Sequence, residues 1–232
     1  MTEKNQNKIR LTIDGRTINA KEGDSLIDVM YREGIKTPSL CYSPGLSRPG
    51  SCRACLVEIE GMRGSSPACE LPVYDNMQVK AQSPSLEQEH RTILAMLLEN
   101  YVDDDHGVGT IDHSEFGYWL RRYNLQPPTS KQHKPLYLVD SDPHPAIRVD
   151  MNKCILCTRC IRACSEIQGR FVWGMAERSD RTQIIAGADE AMLDARCESC
   201  GACVAYCPTG ALTDRNTSPG FEPDKKIMTT CP

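Results

Sequence analysis

The residues in this chain that can do chemistry are its thirteen cysteines, and twelve of them fall into patterned groups. Cys154, Cys157, Cys160 and Cys164 are spaced C-x2-C-x2-C-x3-C. Cys197, Cys200, Cys203 and Cys207 repeat that spacing, and Pro208 follows the second run. Such short intervals bring three sulfurs into one tight loop, as a polynuclear iron–sulfur centre requires. Two structural zinc sites of four thiolates each are the competing reading. Zinc sites usually pair two CxxC knuckles and need neither the third cysteine at x2 nor a fourth at x3. Four more cysteines come earlier, Cys41, Cys52, Cys55 and Cys69, spaced C-x10-C-x2-C-x13-C.

The composition narrows the classes that remain. A length of 232 residues suits two small domains or three modules. Aromatic residues make up 6% of the chain, which fits a modest core supported by cofactors. Residues 1–10 are polar and carry no apolar signal segment. The longest apolar stretch, Ile93 to Leu98, is far too short to span a bilayer. The expectation is therefore a cytoplasmic chain with metal-bound thiolates rather than disulfides, and no membrane insertion. A net charge of −4 with both signs interspersed argues against a nucleic-acid partner.

The elements that must position the early cysteines can be read in turn. Ile9 to Ile13 alternates like a strand, Asp14-Gly15 is a hairpin signal, and Thr17 to Ala20 reads as the return strand. Ser25-Leu-Ile-Asp28 has the form of a capping box and opens a helix through Arg32, with Gly34 at its end. Leu56 to Glu60 alternates again and Gly61 closes it. Further on, Ser85-Leu-Glu-Gln88 reads as a second capping box, opening a helix to about Asn100 with Ile93, Leu94, Leu97 and Leu98 on its apolar face. Phe116, Tyr118, Trp119 and Leu120 predict a short helix packed on a neighbouring module. Gln126-Pro-Pro-Thr-Ser130 and Pro143-His-Pro145 are breakers that bound a surface connector. His133 and His144 are expected there as ordinary polar residues.

These patterns resemble known families. Residues 148–215 resemble the 2×[4Fe–4S] bacterial ferredoxin domain. The resemblance implies crossed ligation, with one cluster on Cys154, Cys157, Cys160 and Cys207 and the other on Cys197, Cys200, Cys203 and Cys164. Residues 1–82 resemble the β-grasp [2Fe–2S] domain, with Cys41, Cys52, Cys55 and Cys69 as ligands; buried free thiols or a zinc site are the alternative. The plant-type pattern C-x4-C-x2-C…C is met in part, because the first gap is longer. That long gap, with Cys41-Tyr42, Gly50-Ser-Cys-Arg-Ala-Cys55 and Pro67-Ala-Cys69, resembles a particular branch. It includes the large iron–sulfur subunit of respiratory complex I, NAD-reducing hydrogenases and molybdenum or tungsten NAD-dependent formate dehydrogenases. The fold class expected is α+β: a β-grasp domain, a helical connector over 83–147, a double-cluster domain, and a tail over 216–232.

The chain departs from that branch in the middle. The relatives carry H-x3-C-x2-C-x5-C there, whereas residues 101–113 read YVDDDHGVGTIDH and hold no cysteine. That cluster is expected to be lost. A metal site on Asp103, Asp104, Asp105, His106 and His113 competes with a plain solvated loop, the commoner fate of a charge run. The chain ends Lys226-Ile-Met-Thr-Thr-Cys231-Pro232, which resembles the opening of the pterin-binding domain of formate dehydrogenases. There Cys231 would be a ligand of a further cluster completed outside this chain. A spare thiol on a frayed tail is the equal alternative.

No nucleophile–base pair and no dinucleotide fingerprint is present, and Gly107-Val-Gly109 lacks a preceding strand. The chain is expected to move electrons and to catalyse no turnover alone. The leading reading is an electron-transfer segment of a formate dehydrogenase, with a molybdenum or tungsten pterin polypeptide and a flavin and NAD-binding subunit as partners. The alternative is the diaphorase iron–sulfur subunit of an NAD-reducing hydrogenase or complex I-like enzyme, and a non-redox zinc scaffold is the remote third. Lys153, Arg159 and Arg162 flank the first ferredoxin run. They read either as cations raising a cluster's potential or as a solvated basic docking surface. Trp173 reads as core packing.

Overall fold

The structure, a computed structural model, describes residues 8–99, 101–103, 113–128 and 136–215. The alternating run at the N-terminus forms β1, Lys8–Ile13, paired antiparallel to β2, Arg16–Lys21. Asp14 and Gly15, both at positive φ, make the two-residue turn between them. Helix α1, Leu26–Arg32, lays Leu26, Ile27, Val29 and Met30 onto the sheet face carrying Ile9, Leu11, Ile13 and Ile18. It ends as its sequence requires. Gly34 sits at φ +69°, and the Ile35 and Gly34 amides donate back to the Met30 and Tyr31 carbonyls. The start of α1 differs from expectation, because no capping box forms. The Ser25 hydroxyl is turned to the Cys69 carbonyl, and Asp28 is held by the Tyr42 hydroxyl and Arg48.

Three further strands complete a mixed five-stranded sheet in the order β2-β1-β5-β3-β4: β3, Leu56–Ile59; β4, Ser65–Pro67; and β5, Gln78–Lys80, which runs parallel to β1. The chain then enters helix α2, Pro84–Leu98. Its cap is Ser83, whose hydroxyl accepts from the Leu86 amide at 3.1 Å, with Pro84 in the first turn. The expected box at Ser85 thus lies two residues too late; proline, with no amide to satisfy, marks the true first turn. Leu86, His90, Leu94 and Leu98 form the buried face of α2. Helix α3, Glu115–Arg122, is capped by Ser114 and buries Phe116, Trp119 and Leu120.

The second half is built from short hairpins and loops. β6, Ile147–Val149, pairs antiparallel with β9, Leu212–Asp214. Helix α4, Arg159–Arg162, widens into a looser turn at Ala163–Ile167. β7, Trp173–Ala176, pairs with β8, Gln183–Ala186, and helix α5 spans Ala202–Tyr206.

Three apolar clusters hold these parts. One lies between the five-stranded sheet and α1, and one among β6 to β9 and the cysteine loops. The middle one gathers Leu94 and Leu98 of α2, Phe116, Trp119 and Leu120 of α3, and Cys41, Cys52, Ile155 and Cys157. The two helices are therefore the shared core between the cysteine-bearing halves.

His90 is the polar member of that seam and is 3% exposed. Its ring bridges the Tyr123 hydroxyl at 2.9 Å and the Leu56 carbonyl at 3.0 Å. The carbonyl can only accept, so Nε2 carries the proton and Nδ1 accepts from the tyrosine. Burial holds the imidazole pKa below its ordinary 6.5. The unfolded chain therefore takes up the proton first, and stability that is full above about pH 6.5 is lost as pH falls through the depressed folded value. Thermal unfolding followed from about pH 7.5 to about 5 is expected to show a flatter pH slope in His90→Gln than in the parent chain.

Candidate metal centres

Each early cysteine comes from a different piece of local structure. Cys41 follows α1, Cys52 and Cys55 lie in the loop leading into β3, and Cys69 lies in the turn after β4. All four are buried. They form two couples. The Cys52 thiol donates to Cys41 and lowers its pKa to about 5, while that same contact, reinforced by burial, raises Cys52. Cys55 is raised by its contact with Cys69 and by burial, and Cys69 is lowered by it. Backbone amides help: the Cys41 amide donates to Cys52 Sγ at 3.4 Å, and the Ala54 amide also points at it. Arg53 at φ +54° turns the chain so that the Ala54 amide can do so.

The two later runs use the same device. Leu156 at φ +55° aims its amide at Cys154 Sγ at 3.4 Å, and Ser199 at φ +57° aims its amide at Cys197 Sγ at 3.4 Å. Thr158 at φ +60° precedes the Arg159 amide, which donates to Cys157. Left-handed conformations at non-glycine residues are uncommon, and here they recur at the cysteine loops, where amides must fold back onto sulfur.

The long-range arrangement is crossed. Cys154, Cys157 and Cys160 line one small cavity with Cys207 from the other run, walled otherwise by apolar residues such as Met151, Ile155 and Leu212. Cys164, the fourth cysteine of the first run, lies beside Cys197, which also faces Cys200. Burial raises the thiol pKa of Cys154 and Cys157 to about 12 and that of Cys203 to about 11, and it pushes Cys160 well up. Among the described residues, no three or more His, Cys, Asp or Glu converge on a single-ion site.

Other side chains reach these sulfurs, and several depart from the sequence reading. Trp173 is core packing, as expected, and its side chain also donates to Cys203. Thr209 accepts from the Ala211 amide, so its hydroxyl is free to donate to Cys207 at 3.6 Å. His144, expected as an ordinary connector residue, is 1% exposed. The Ala146 and Ile147 amides donate to its Nδ1 at 3.1 and 3.0 Å, which places the ring proton on Nε2. That proton faces Ser199 Oγ at 3.0 Å and Cys197 Sγ at 3.8 Å. Local sequence gives no sign of this, because the partner lies more than fifty residues away.

The basic docking surface is also overturned: Lys153, Arg159 and Arg162 are all buried. Lys153 Nζ lies 3.1 Å from Asp103, so this part of the acidic run is a buried ion pair and not solvated loop. Arg159 forks onto Glu115 and donates to the Ser39 and Tyr42 carbonyls. Its Nε is buried with no acceptor while the guanidinium lies near Cys157 and Cys52. A spare cationic N–H beside two thiols, amides aimed at sulfur and a sulfur-lined cavity are together what an anionic iron–sulfur group needs. Asp104, Asp105, His106, His133 and Cys231 lie outside the described residues.

Comparison with known proteins agrees with this division. Residues 6–84 match the family described as a 2Fe-2S iron-sulfur cluster binding domain. Residues 144–213 match the ferredoxin-like domain of NADH-quinone oxidoreductase subunit 3. An NADH-quinone oxidoreductase subunit of Rhizobium meliloti (strain 1021) is 33% identical over 209 residues, 88% of this chain and 24% of that protein. NADP-reducing hydrogenase subunit HndD of Solidesulfovibrio fructosivorans is 36% identical over 213 residues, 89% of this chain and 36% of its own length. The chain thus spans between a quarter and about a third of these curated relatives. A chain from the crystal structure of an NAD+-reducing [NiFe]-hydrogenase in the H2-reduced state superposes with a TM-score of 0.79 at 25% identity, covering 92% of this chain and 90% of that one. Among the described residues no helix is long and apolar enough to cross a membrane. This polypeptide therefore joins a 2Fe-2S cluster-binding domain to a ferredoxin-like domain of the NADH-quinone oxidoreductase type.

Proposed function

We propose that this chain is the electron-transfer segment of a multi-subunit NAD(P)H-linked oxidoreductase. The observation that carries the reading is the crossed placement of Cys207 with Cys154, Cys157 and Cys160, and of Cys164 with Cys197. Two separate zinc knuckles give no reason for that exchange, whereas a double-cluster ferredoxin arrangement does. In this reading Cys41, Cys52, Cys55 and Cys69 hold a [2Fe–2S] cluster, and their two couples suit two irons that each take two thiolates. Cys154, Cys157, Cys160 and Cys207 hold one [4Fe–4S] cluster, and Cys197, Cys200, Cys203 and Cys164 hold the other. Such clusters supply reversible one-electron chemistry, which links a two-electron donor to a distant acceptor. The protein's own part is to bury the sulfurs, to aim amides at them and to place cations beside them.

The relatives are subunits of NADH- or NADP-linked oxidoreductases, which supports a reading with further subunits as partners. A flavin and nicotinamide-binding subunit is the partner on one side, as complex I-like and hydrogenase enzymes require. A formate dehydrogenase with a molybdenum or tungsten pterin polypeptide is the second reading. Its own support is the sequence Lys226 to Pro232, in which Cys231 is a candidate ligand. Purifying the native complex separates them, since a nickel–iron or quinone-linked partner favours the first and a pterin-bearing partner the second.

Iron analysis after anaerobic reconstitution tests the cluster set. Two irons plus four plus four give about ten per chain. The isolated chain is expected to be reduced by dithionite and to turn over neither NADH nor formate. Zinc in native material in place of iron removes the redox reading, and about fourteen irons restores the middle cluster.

The crossing has its own test. Cys207→Ser is expected to lose the electron paramagnetic signal of the cluster on Cys154, Cys157 and Cys160, and Cys164→Ser that of the cluster on Cys197, Cys200 and Cys203. Loss of each variant's own-run cluster instead would contradict the assignment.

His144→Phe removes an N–H donor from Cys197 while keeping a ring of similar size. A donor at sulfur favours the more negative, reduced state. The midpoint potential of the second [4Fe–4S] cluster is expected to fall, and that of the first to hold, in a potentiometric titration.

A further inference from the structure

Arg162 is the side chain that touches both cysteine-bearing halves at their ligand residues. A single nitrogen, Nη2, donates to the Cys41 carbonyl at 2.6 Å and to the Cys157 carbonyl at 3.2 Å. The other bonds among the described residues run from Nη1 to the Ser47 carbonyl at 2.5 Å and from Nε to Thr158 Oγ1 at 3.3 Å. All four acceptors are neutral. Arg162 is 8% exposed, and the nearby carboxylate of Glu166 is engaged by the Ser47 amide and hydroxyl. A cation taken out of water and bonded to neutral oxygens is costly unless negative charge lies close by. The groups that act on it electrostatically include the thiols of Cys41 and Cys157, one from each half, and the Glu166 carboxylate. Arg159 makes the contrast, since it has Glu115 as its counter-ion.

We propose that Arg162 is a positioning residue for electron exchange between the [2Fe–2S] site of Cys41 and the [4Fe–4S] site of Cys157. The inference rests on the cluster reading given above. Nη2 supplies a hydrogen-bonded bridge from the carbonyl of one ligand residue to that of the other. Tunnelling weakens steeply across non-bonded gaps, and a hydrogen bond is a shorter gap than van der Waals contact. The charge has a second effect: placed between the two sites, it favours the reduced, more negative state of each. One electron leaves one site and arrives at the other. No bond forms or breaks, and the guanidinium keeps its protons because its pKa lies far above physiological pH. Nη2 is held in place by the bonds that Nη1 makes to Ser47 and Nε makes to Thr158. A lysine, with one nitrogen, cannot make those anchors and the bridge together, so charge and bridging can be separated by substitution.

The test uses the reconstituted full chain and compares it with Arg162→Gln and Arg162→Lys. Iron content is measured first. Redox titration monitored by electron paramagnetic resonance then gives each midpoint potential, and freeze-quench after substoichiometric reduction gives the rate at which an electron redistributes between the two clusters. Arg162→Gln is expected to lower the midpoints of the [2Fe–2S] and first [4Fe–4S] clusters together, to leave the second [4Fe–4S] cluster unmoved, and to slow redistribution. Arg162→Lys is expected to keep both midpoints near the parent values and still slow redistribution. A midpoint shift confined to one cluster, or parent-like redistribution in both variants, overturns the proposal. Should Arg162→Gln fail to load iron, parent-like redistribution in Arg162→Lys overturns it alone. Parent protein that loads no iron overturns the cluster reading itself and is recognised before any variant is made.

Discussion

Everything in this molecule answers to the cost of holding many sulfurs in apolar surroundings. Burial, with the neighbouring cysteines, holds the thiols of Cys154 and Cys157 up at about 12 even against the amides and guanidinium groups that favour the thiolate, so without metal they stay neutral at ordinary pH. Binding as thiolates requires something to favour the charged form. The chain supplies part of it through amides turned back by left-handed residues, through the Trp173 and His144 side chains, and through the buried guanidinium groups of α4. In the cluster reading proposed above, coordination by iron would supply the remaining part.

The seam between the halves follows from that constraint. Cys41 and Cys52 belong to one half and Cys157 to the other, yet they share an apolar cluster with α2 and α3. The helices bring Leu94, Leu98, Phe116, Trp119 and Leu120 to that cluster. They exclude water from the space where the two halves meet, which strengthens every charge interaction there. Arg159 reaches across the same seam to Ser39 and Tyr42, and Arg162 to Ser47 and Cys41. The joint is thus both a hydrophobic core and a set of charged bolts.

What the sequence disclosed was what depends on neighbours along the chain. Cysteine spacing, the Asp14-Gly15 turn, the Gly34 helix end and the α2 stripe are all short-range patterns, and each is present in the structure. The start of α2 was misplaced, because the box-like Ser85 to Gln88 lies inside the helix that Ser83 caps. Ser25 failed as a capping residue because distant groups claimed its hydroxyl and Asp28. His144, His90, Arg159 and Arg162 were opaque for one reason. Each has a partner more than thirty residues away that decides its role, and that role exists only once those segments have met. A charge beside a cysteine in sequence gives no indication of whether it faces water or the seam.

The exposure of the cysteines is uneven, and this has a consequence for durability. Among the twelve described, Cys200 is the exposed one, whereas the four early cysteines are all buried. Oxidants attack the sulfur they can reach, and each step up the oxidation ladder removes a ligand. In air the molecule would therefore age from one end. The site containing Cys200 would corrode while the early group, sealed behind the sheet and α2, kept its sulfurs intact. An aerobically handled sample would be a mixture of chains, spoiled first at the site of Cys200, next where cysteines are half-buried, and last at the early group.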